Sequence, residues 1–427
     1  MSLQCPNFVE ILSAGISSLS IEVLEKVKFG SGFFNWSRVG PGLLFAAAAI
    51  GVSHLVQSTR AGAGYAWLLI PAIVVANLLK WPLFEAGPRY AYSQKRSLLH
   101  AYQRIAVWAL PVIALVTFGS MFIVTATVGV VTAGLFQQVL PFNISESTVL
   151  LVLLLGCVLI LWNGKQQRLE KIIRPILILL VLATLVAVIL GLFKPFPDWS
   201  TASFSFGNSG DLAFFIALMG WMPAPLDISI WYSQWSALKL RVGGDYIATD
   251  FRIGFGGTTF MAVVFVLLGA IFLFDTGDLP SSAIGFAGSL QQAYSEVFGV
   301  FSILIVIAAI TCMFSTTLAV MDAYPRVCRA ILRNDADESA GLYRVLLVLL
   351  AVGGWVIAIQ FSGEMTLLVQ FATVMAFLSA PIIAWLNMSA LRLLPPDHQP
   401  SKGFFALGYF STFLLVVFSV YYLFSLL

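Results

Sequence analysis

Long apolar stretches alternate with short polar segments along almost the whole chain. A helix crosses the core of a bilayer with about 20 apolar residues. By this criterion we predict spans at 40–65, 67–88, 105–135, 149–163, 175–193, 212–238, 254–274, 297–321, 345–360, 365–390 and 404–427. The pattern therefore predicts an all-α membrane protein of about eleven transmembrane helices. We expect a cytoplasmic N-terminal segment, 1–38, followed by a single transmembrane domain, 39–427.

Two of the predicted spans contain helix-breaking residues near their middle. The first reads Gly51-Val52-Ser53-His54, and the sixth reads Gly220-Trp221-Met222-Pro223-Ala224-Pro225 before Asp227. The breaks are five spans apart, so two inverted halves, about 40–193 and 212–390, are expected, with 404–427 as an extra helix. Broken helices at matching places in inverted halves are typical of a transporter's binding site near the membrane midplane.

Composition and charge support a membrane protein and predict its orientation. Charged residues make up 10% of the chain, against about 25% in ordinary soluble domains. With the N-terminus inside, 20 of the 23 Lys and Arg residues fall on the cytoplasmic side. Because cytoplasmic loops carry the excess of basic residues, we predict a multi-pass protein of the plasma (inner) membrane with an external C-terminus. The same topology explains the basic residues, so no nucleic-acid partner is expected.

Sequence signatures of enzymes are absent from the chain. It has no phosphate-binding glycine loop, no nucleophile elbow and no His-Glu-x-x-His pattern. The four cysteines match no zinc spacing. We therefore expect neither an enzyme nor a cofactor, and the predicted partners are a small ion or small molecule and the lipid bilayer.

Several short motifs occur in a characteristic order. They are Gly40-Pro41-Gly42, Ala76-Asn77-Leu78 with Arg89, Gly164 with Arg168-Leu169-Glu170-Lys171, Met222-Pro223, and Met321-Asp322. In this order they resemble the Nramp (natural resistance-associated macrophage protein) family of divalent-metal transporters. The resemblance implies a LeuT-type 5+5 inverted repeat with helices 1 and 6 broken, and movement of a small ion by alternating access.

The departures from this family fall on its binding site. Where the family has Asp-Pro-Gly-Asn in the first break, this chain has Gly51 to His54, and Ala224 stands in place of the family's His. The third predicted span, 105–135, lacks the acidic residues that relay protons in proton-coupled relatives. The chain is interpreted as a divergent Nramp-related member with an altered site.

Two substrates remain open at this point. The resemblance implies a divalent metal ion, for which the remaining ligands are His54, Met222 and Asp227, with backbone carbonyls near Gly51 and Met219. Hard divalent ions normally require at least one carboxylate, and the replacement of the family's Asp by Gly51 counts against ordinary manganese or iron.

The alternative substrate is a small anion such as bicarbonate or a carboxylate. Arg60 and His54 would make the site positive, and the N-termini of the half-helices add partial positive charge. Lys80 adds to the positive charge unless it extends towards the membrane surface. Arg60 is equally compatible with an ion pair to Asp227 that fixes the two broken helices.

Other polar and charged residues complete the set of candidates. Glu85 is expected to pair with Lys80 or Arg89, and Asp322 with Arg326. A protein that has lost transport and acts as a sensor or scaffold is a third candidate function. Further candidates for the cavity wall, each also explained by packing or by hydrogen bonds between helices, are Ser53, Gln57, Thr59, Trp221, Ser229, Gln370, Thr373 and Ser379.

Overall fold

The computed structural model describes residues 40–140, 144–193, 195–241, 248–274, 280–299, 302–333 and 339–425. The predicted cytoplasmic segment, 1–38, lies outside the described residues, so that prediction and the predicted domain limits stay predictions. Every regular element in these ranges is helical, and they contain no β-strand.

Fifteen α-helices follow one another in the described ranges. They are α1 (Pro41–Ala49), α2 (Thr59–Tyr65), α3 (Ile70–Gln94), α4 (Leu98–Ile105), α5 (Ala109–Gln137), α6 (Glu146–Leu161), α7 (Gln166–Gly191), α8 (Ser209–Trp221), α9 (Ile228–Arg241), α10 (Ala248–Phe272), α11 (Ala283–Phe298), α12 (Ser302–Leu332), α13 (Ala340–Gln360), α14 (Met365–Arg392) and α15 (Lys402–Ser425). A wider π-helical segment, Val52–Ser58, joins α1 to α2, and short 3₁₀ turns lie at Trp199–Thr201 and Pro396–His398.

The long helices match the predicted spans. Nine helical stretches of the described residues, with Pro41–Tyr65 taken as one, are long and apolar enough to cross a membrane. The shorter apolar helices α6 and α8 supply the fourth span and the first half of the sixth. Together they account for eleven spans and indicate an integral membrane protein.

Two elements were not predicted as separate helices, and several helices, α12 among them, extend beyond the predicted limits of their spans. α4 and α11 each begin after a serine, Ser97 or Ser282, whose hydroxyl accepts a hydrogen bond from a backbone N–H in the first turn. α12 continues beyond the predicted end at residue 321, because Asp322 and Arg326 neutralise each other one turn apart. A search for uninterrupted apolar stretches detects neither feature.

Glycines allow close contact between α2 and α10. A Cβ atom at Gly62 would lie 2.0 Å from the carbonyl oxygen of Val266, and one at Gly269 would lie 2.0 Å from the carbonyl oxygen of Thr59. Any side chain at either position would push the two helices apart. The outer half of the first broken helix is therefore held directly against α10.

Charged side chains hold the predicted cytoplasmic ends of the broken helices. Asp250 of α10 accepts hydrogen bonds from the backbone N–H groups of Gly40, at 2.9 Å, and Gly42, at 2.8 Å. A carboxylate at a helix N-terminus is stabilising because the exposed N–H groups and the helix dipole are positive there. Lys239 of α9 lies 3.5 Å from Glu170 of α7. These contacts tie α1 and α9 to their neighbours.

Two predicted ion pairs are confirmed. Glu85 pairs with Arg89 rather than with Lys80. Asp322 pairs with Arg326 at 2.7 Å, and it also accepts hydrogen bonds from Trp235 Nε1, at 3.0 Å, and the Tyr343 hydroxyl, at 2.9 Å. The second pair is buried and joins α9, α12 and α13.

Candidate functional site

The first break, Ile50–Ser58, exposes the carbonyl end of α1 inside the protein. Thr316 Oγ1 of α12 lies 2.7 Å from the carbonyl oxygen of Ala47 and 3.1 Å from that of Ile50. Cys312 Sγ lies 3.0 Å from the Ile50 oxygen as well. The last carbonyls of a helix need partners when water is excluded, and here a hydroxyl and a thiol provide them.

Gly51 leaves no room for a side chain at this break. A Cβ atom added to Gly51 would lie 2.5 Å from Thr316 Cγ2. The carboxylate that the Nramp family carries at this position therefore cannot be accommodated while Thr316 keeps its place. Gly51 and Thr316 are therefore packed directly against each other.

His54 is fully buried, and both of its ring nitrogens have partners. Nε2 lies 2.9 Å from the carbonyl oxygen of Thr258, and Nδ1 lies 2.7 Å from Ser53 Oγ. Because a carbonyl oxygen only accepts, Nε2 must carry the proton. The ring joins the first break to α10, and a metal ion could bind either nitrogen only by displacing one of these bonds.

The second break, Met222–Asp227, is organised by Lys80 of α3. Lys80 Nζ donates to the carbonyl oxygens of Met219 at 2.6 Å, Gly220 at 3.2 Å and Met222 at 2.9 Å. Lys80 is 4% exposed, so the alternative that its side chain extends towards the membrane surface is wrong. Sequence reasoning missed this role, although a lysine within an apolar span was a signal.

Met222 and its neighbours are packed into the protein. The Met222 side chain is buried in an apolar cluster with Ala61, Leu218 and Ala262, and its Sδ lies 3.9 Å from Ser58 Oγ. Ala224 is also buried, in the main core. The retained methionine therefore packs α8 against α2 and α10.

Three buried polar atoms near the breaks lack hydrogen-bond partners within the described ranges. They are Thr59 Oγ1, Trp221 Nε1 and Asp227 Oδ1. A buried polar atom without a partner is costly and rare in native proteins. These atoms remain candidates for contact with a substrate or with water.

Arg60 and Gln57 line a cavity of about 290 Å³ between α2, α8 and α14. Gln370 and Thr366 of α14 also line this cavity. Arg60 Nη1 is 3.4 Å from the carbonyl oxygen of Pro280. An Arg60–Asp227 pair is not among the ion pairs between described residues. The remaining lining residues are Val56, Gly210, Ala213, Phe214, Ala217, Met365 and Val369.

Met219 and Ser379 lie outside this cavity. Met219 lines a separate, largely apolar groove of about 330 Å³, together with Lys80, Leu79 and Phe418. Ser379 Oγ donates to the carbonyl oxygen of Ala376 in its own helix, at 3.1 Å. Ser229 and Thr373 are likewise fully buried. Of the predicted site residues, the structure brings Gln57, Arg60 and Gln370 together.

Two of the three predicted metal ligands, His54 and Met222, have other contacts in the structure. No group of three or more His, Cys, Asp or Glu residues that could hold a metal ion occurs within the ranges the structure describes. His54 is bonded towards Thr258, and Met222 lies in the apolar cluster. No hydrogen bond between described residues links these two with Asp227.

The chain is similar to one protein by sequence and to several solved structures by fold. No family model matches it. It is 31% identical over 390 residues to a Pasteurella multocida protein named Uncharacterized protein PM0681, covering 88% of this chain and 90% of that protein.

The similar structures include a mutant of the Eremococcus coleocola manganese transporter, with a TM-score of 0.71, 16% identity, and coverage of 92% of this chain and 88% of that chain. MhsT in complex with L-phenylalanine gives a TM-score of 0.62 at 16% identity, with coverage of 90% and 99%. At this identity the likeness concerns the fold alone. The predicted fold class, an all-α membrane protein of LeuT type with two broken helices, is confirmed.

Proposed function

We propose that this chain, which belongs to the same family as Uncharacterized protein PM0681, is a secondary transporter that moves a small anion by alternating access. The name of that relative assigns no activity, so the proposal is based on the fold and the candidate site. The fold supports the transport part of the proposal. One protein with this fold is a manganese transporter, and another was solved with L-phenylalanine bound. Two helices broken at matching positions in a membrane are rarely kept without a transport pathway between them.

The observation that supports an anion as the substrate is the lining of the Arg60 cavity. Among the described residues that line it, Arg60 is the one ionisable side chain, and none is a carboxylate. Arg presents a fork of N–H donors that matches a carboxylate in two parallel bonds. Gln57 and Gln370 add amide groups to the lining of the cavity.

A second positive group supports the same sign of substrate. Lys80 is buried at the second break, and no ion pair between described residues includes it. A buried charge without an opposite charge is unfavourable, and an anion entering nearby would reduce that penalty. Lys80 lines a groove separate from the Arg60 cavity, and Asp227 is a carboxylate of the second break, so the lining of the Arg60 cavity remains the main support for an anion.

The proposed cycle uses the contacts at both ends of the broken helices. The Arg60 cavity lies between the half-helices α2 and α8 and the first turns of α14, which the predicted topology assigns to the external side. At the cytoplasmic ends, Asp250 holds the start of α1 and Glu170 holds Lys239. Substrate would enter beside Arg60, and release inward would require these inner contacts to separate.

A divalent metal is the second candidate substrate. Met222 is retained at the family's position, and Asp227 has a buried carboxylate oxygen without a hydrogen-bond partner within the described ranges. These two groups would need His54 to give up a ring hydrogen bond before the predicted ligand set could form.

The test is uptake by proteoliposomes of the purified protein, comparing bicarbonate and small carboxylates with manganese and cobalt. We expect saturable uptake of an anion and none of the metals. Arg60→Gln should lower anion uptake about 10- to 100-fold, since a charge-assisted hydrogen bond contributes about 1.5–3 kcal/mol. Arg252→Gln, at an exposed position, is the matched control and should transport normally.

A thermal melt of Arg60→Gln distinguishes loss of binding from loss of fold. Uptake of manganese that falls in Met222→Ala but not in Arg60→Gln would favour the metal candidate. If neither class of solute is transported by folded protein, the sensor or scaffold reading replaces the transporter.

A further inference from the structure

We propose that Lys80 is a built-in cation. Its ammonium group occupies a carbonyl cage, formed by the backbone oxygens of Met219, Gly220 and Met222, in place of an exchangeable metal or alkali ion. In the proposed transport cycle, which this inference extends, no free cation would then have to bind at these carbonyls. The inference rests on three hydrogen bonds, the burial of the side chain and the charge of the groups around it.

The geometry of the cage matches an ammonium ion. The carbonyl oxygens of Met219, Gly220 and Met222 lie 2.6, 3.2 and 2.9 Å from Lys80 Nζ. A lysine ammonium has three N–H donors and no acceptor. Three donors meet three acceptors that belong to one short stretch of backbone, so each proton has its own oxygen.

The cage is formed by the irregular end of α8. Met219 and Gly220 lie in the last turn of this helix, where carbonyl groups have no partner within the helix. Met222 follows in an extended conformation, which turns its carbonyl towards the same point. The helix dipole makes this end partially negative, and a positive charge is stabilised there.

Backbone carbonyls without a carboxylate are the kind of surroundings that bind an ion stripped of its water shell. Lys80 is 4% exposed, and none of the ion pairs between described residues includes it. A carbonyl cage of this composition solvates a monovalent cation without neutralising it. The ammonium group of Lys80 provides such a cation, and it cannot dissociate because it is covalently attached to α3.

The competing reading is that Lys80 merely caps α8, as basic side chains near helix C-termini do. The two readings differ once the side chain is removed. A simple cap leaves a destabilised helix end, whereas an occupied ion cage leaves a site that accepts a free cation of the right size.

The experiment is chemical rescue of Lys80→Ala. The deleted part of the side chain corresponds to n-propylammonium, and the groove of about 330 Å³ beside Lys80 gives it access. The purified full-length variant is melted in detergent with rising n-propylammonium, with n-propanol as the uncharged control of the same size. We expect n-propylammonium at tens of millimolar to raise the Tm of Lys80→Ala by several degrees, and n-propanol to have no such effect.

Two further variants separate a charge effect from a filled cavity. Lys80→Met keeps the volume of the side chain and should not respond, because its thioether fills the space. Leu79→Ala opens an apolar gap in the same groove and should not respond to n-propylammonium more than to n-propanol. Wild type should not respond to either compound.

Each outcome counts for or against the proposal. A rise in Tm restricted to Lys80→Ala with n-propylammonium supports it. No rise in Lys80→Ala, or an equal rise with n-propanol, overturns it. The melts involve no transported solute, so failure of the anion proposal would not affect them. Recovery of uptake by Lys80→Ala in n-propylammonium would then link the cage to transport.

Discussion

The two broken helices solve the same problem with different chemistry. Each exposes backbone carbonyls inside the protein, where no water satisfies them. At the first break the donors are neutral: the hydroxyls of Thr316 and Ser53 and the thiol of Cys312. At the second break the donor is the Lys80 ammonium, which serves three carbonyls. The two breaks therefore differ in backbone form, which is π-helical at the first and irregular at the second, and in the donors that bind their carbonyls.

This difference bears on the proposed function, in which the substrate is a small anion. The first break has Gly51 where the resembled Nramp family has a carboxylate, and the second break contains the carboxylate of Asp227 as well as the contacts of Lys80. Substitutions at the two breaks test whether their hydrogen-bond donors contribute differently to stability.

The largest effect is expected from Lys80→Met. Three buried carbonyls lose their donor, each at about 1–3 kcal/mol, while the penalty of burying a charge is relieved. We expect a net loss of about 3 kcal/mol, measured as a lower Tm of the purified protein. The control is Lys402→Met, at an exposed position, which should melt like wild type. An unchanged Tm in Lys80→Met would remove the distinction between the breaks.

Gly51→Ala should have the next largest effect. The added Cβ would lie 2.5 Å from Thr316 Cγ2, and such overpacking costs about 1–3 kcal/mol. The double variant Gly51→Ala with Thr316→Ser removes that methyl group and should recover part of the stability. Gly64→Ala is the control, since nothing lies within 4 Å of its added Cβ. Equal losses in the two single variants would contradict the steric account.

Thr316→Val should cost about 1–2 kcal/mol, since it removes one neutral donor from the first break at constant shape. The comparison is with Thr311→Val in the same helix. The Thr311 hydroxyl bonds only to carbonyls one turn away in α12, so its loss should be well below 1 kcal/mol. A larger loss in Thr316→Val than in Lys80→Met would reverse the ranking of the two breaks.

Cys312→Ala should have the smallest effect. A thiol is a weak donor, and the Ile50 oxygen that it contacts also lies 3.1 Å from Thr316 Oγ1, whose single proton it shares with the Ala47 oxygen. Cys157→Ala, another buried cysteine, removes the same atoms without the carbonyl contact. We expect their losses to differ by less than about 0.5 kcal/mol. A much larger loss in Cys312→Ala would mean that the thiol, not Thr316, is the main donor.

The sequence predicts which residues lie at membrane depth far better than the directions in which they point. Apolar length and basic loops predict the spans, and Gly51 and the Pro223–Pro225 segment predict the breaks. The pairs Glu85–Arg89 and Asp322–Arg326 are also predictable, because residues four apart meet on one helix face. These features depend on local spacing.

The site depends on contacts between distant parts of the chain, which spacing does not specify. His54 and Lys80 were both expected to add positive charge to one cavity. In the structure His54 is bonded to Thr258, and Lys80 fills the cage at the second break. Arg60 contacts Pro280, which sequence reasoning did not single out. The hydroxyl-rich run Ser315-Thr316-Thr317 was the available signal for the donors of the first break.

Calorimetric titration of the purified protein with manganese and with a small carboxylate such as lactate tests most directly whether this site binds an anion. The account predicts saturable binding of the carboxylate, weakened at least tenfold in Arg60→Gln, and no saturable binding of manganese. Saturable binding of manganese that is lost in Met222→Ala, with no response to carboxylates, would contradict it.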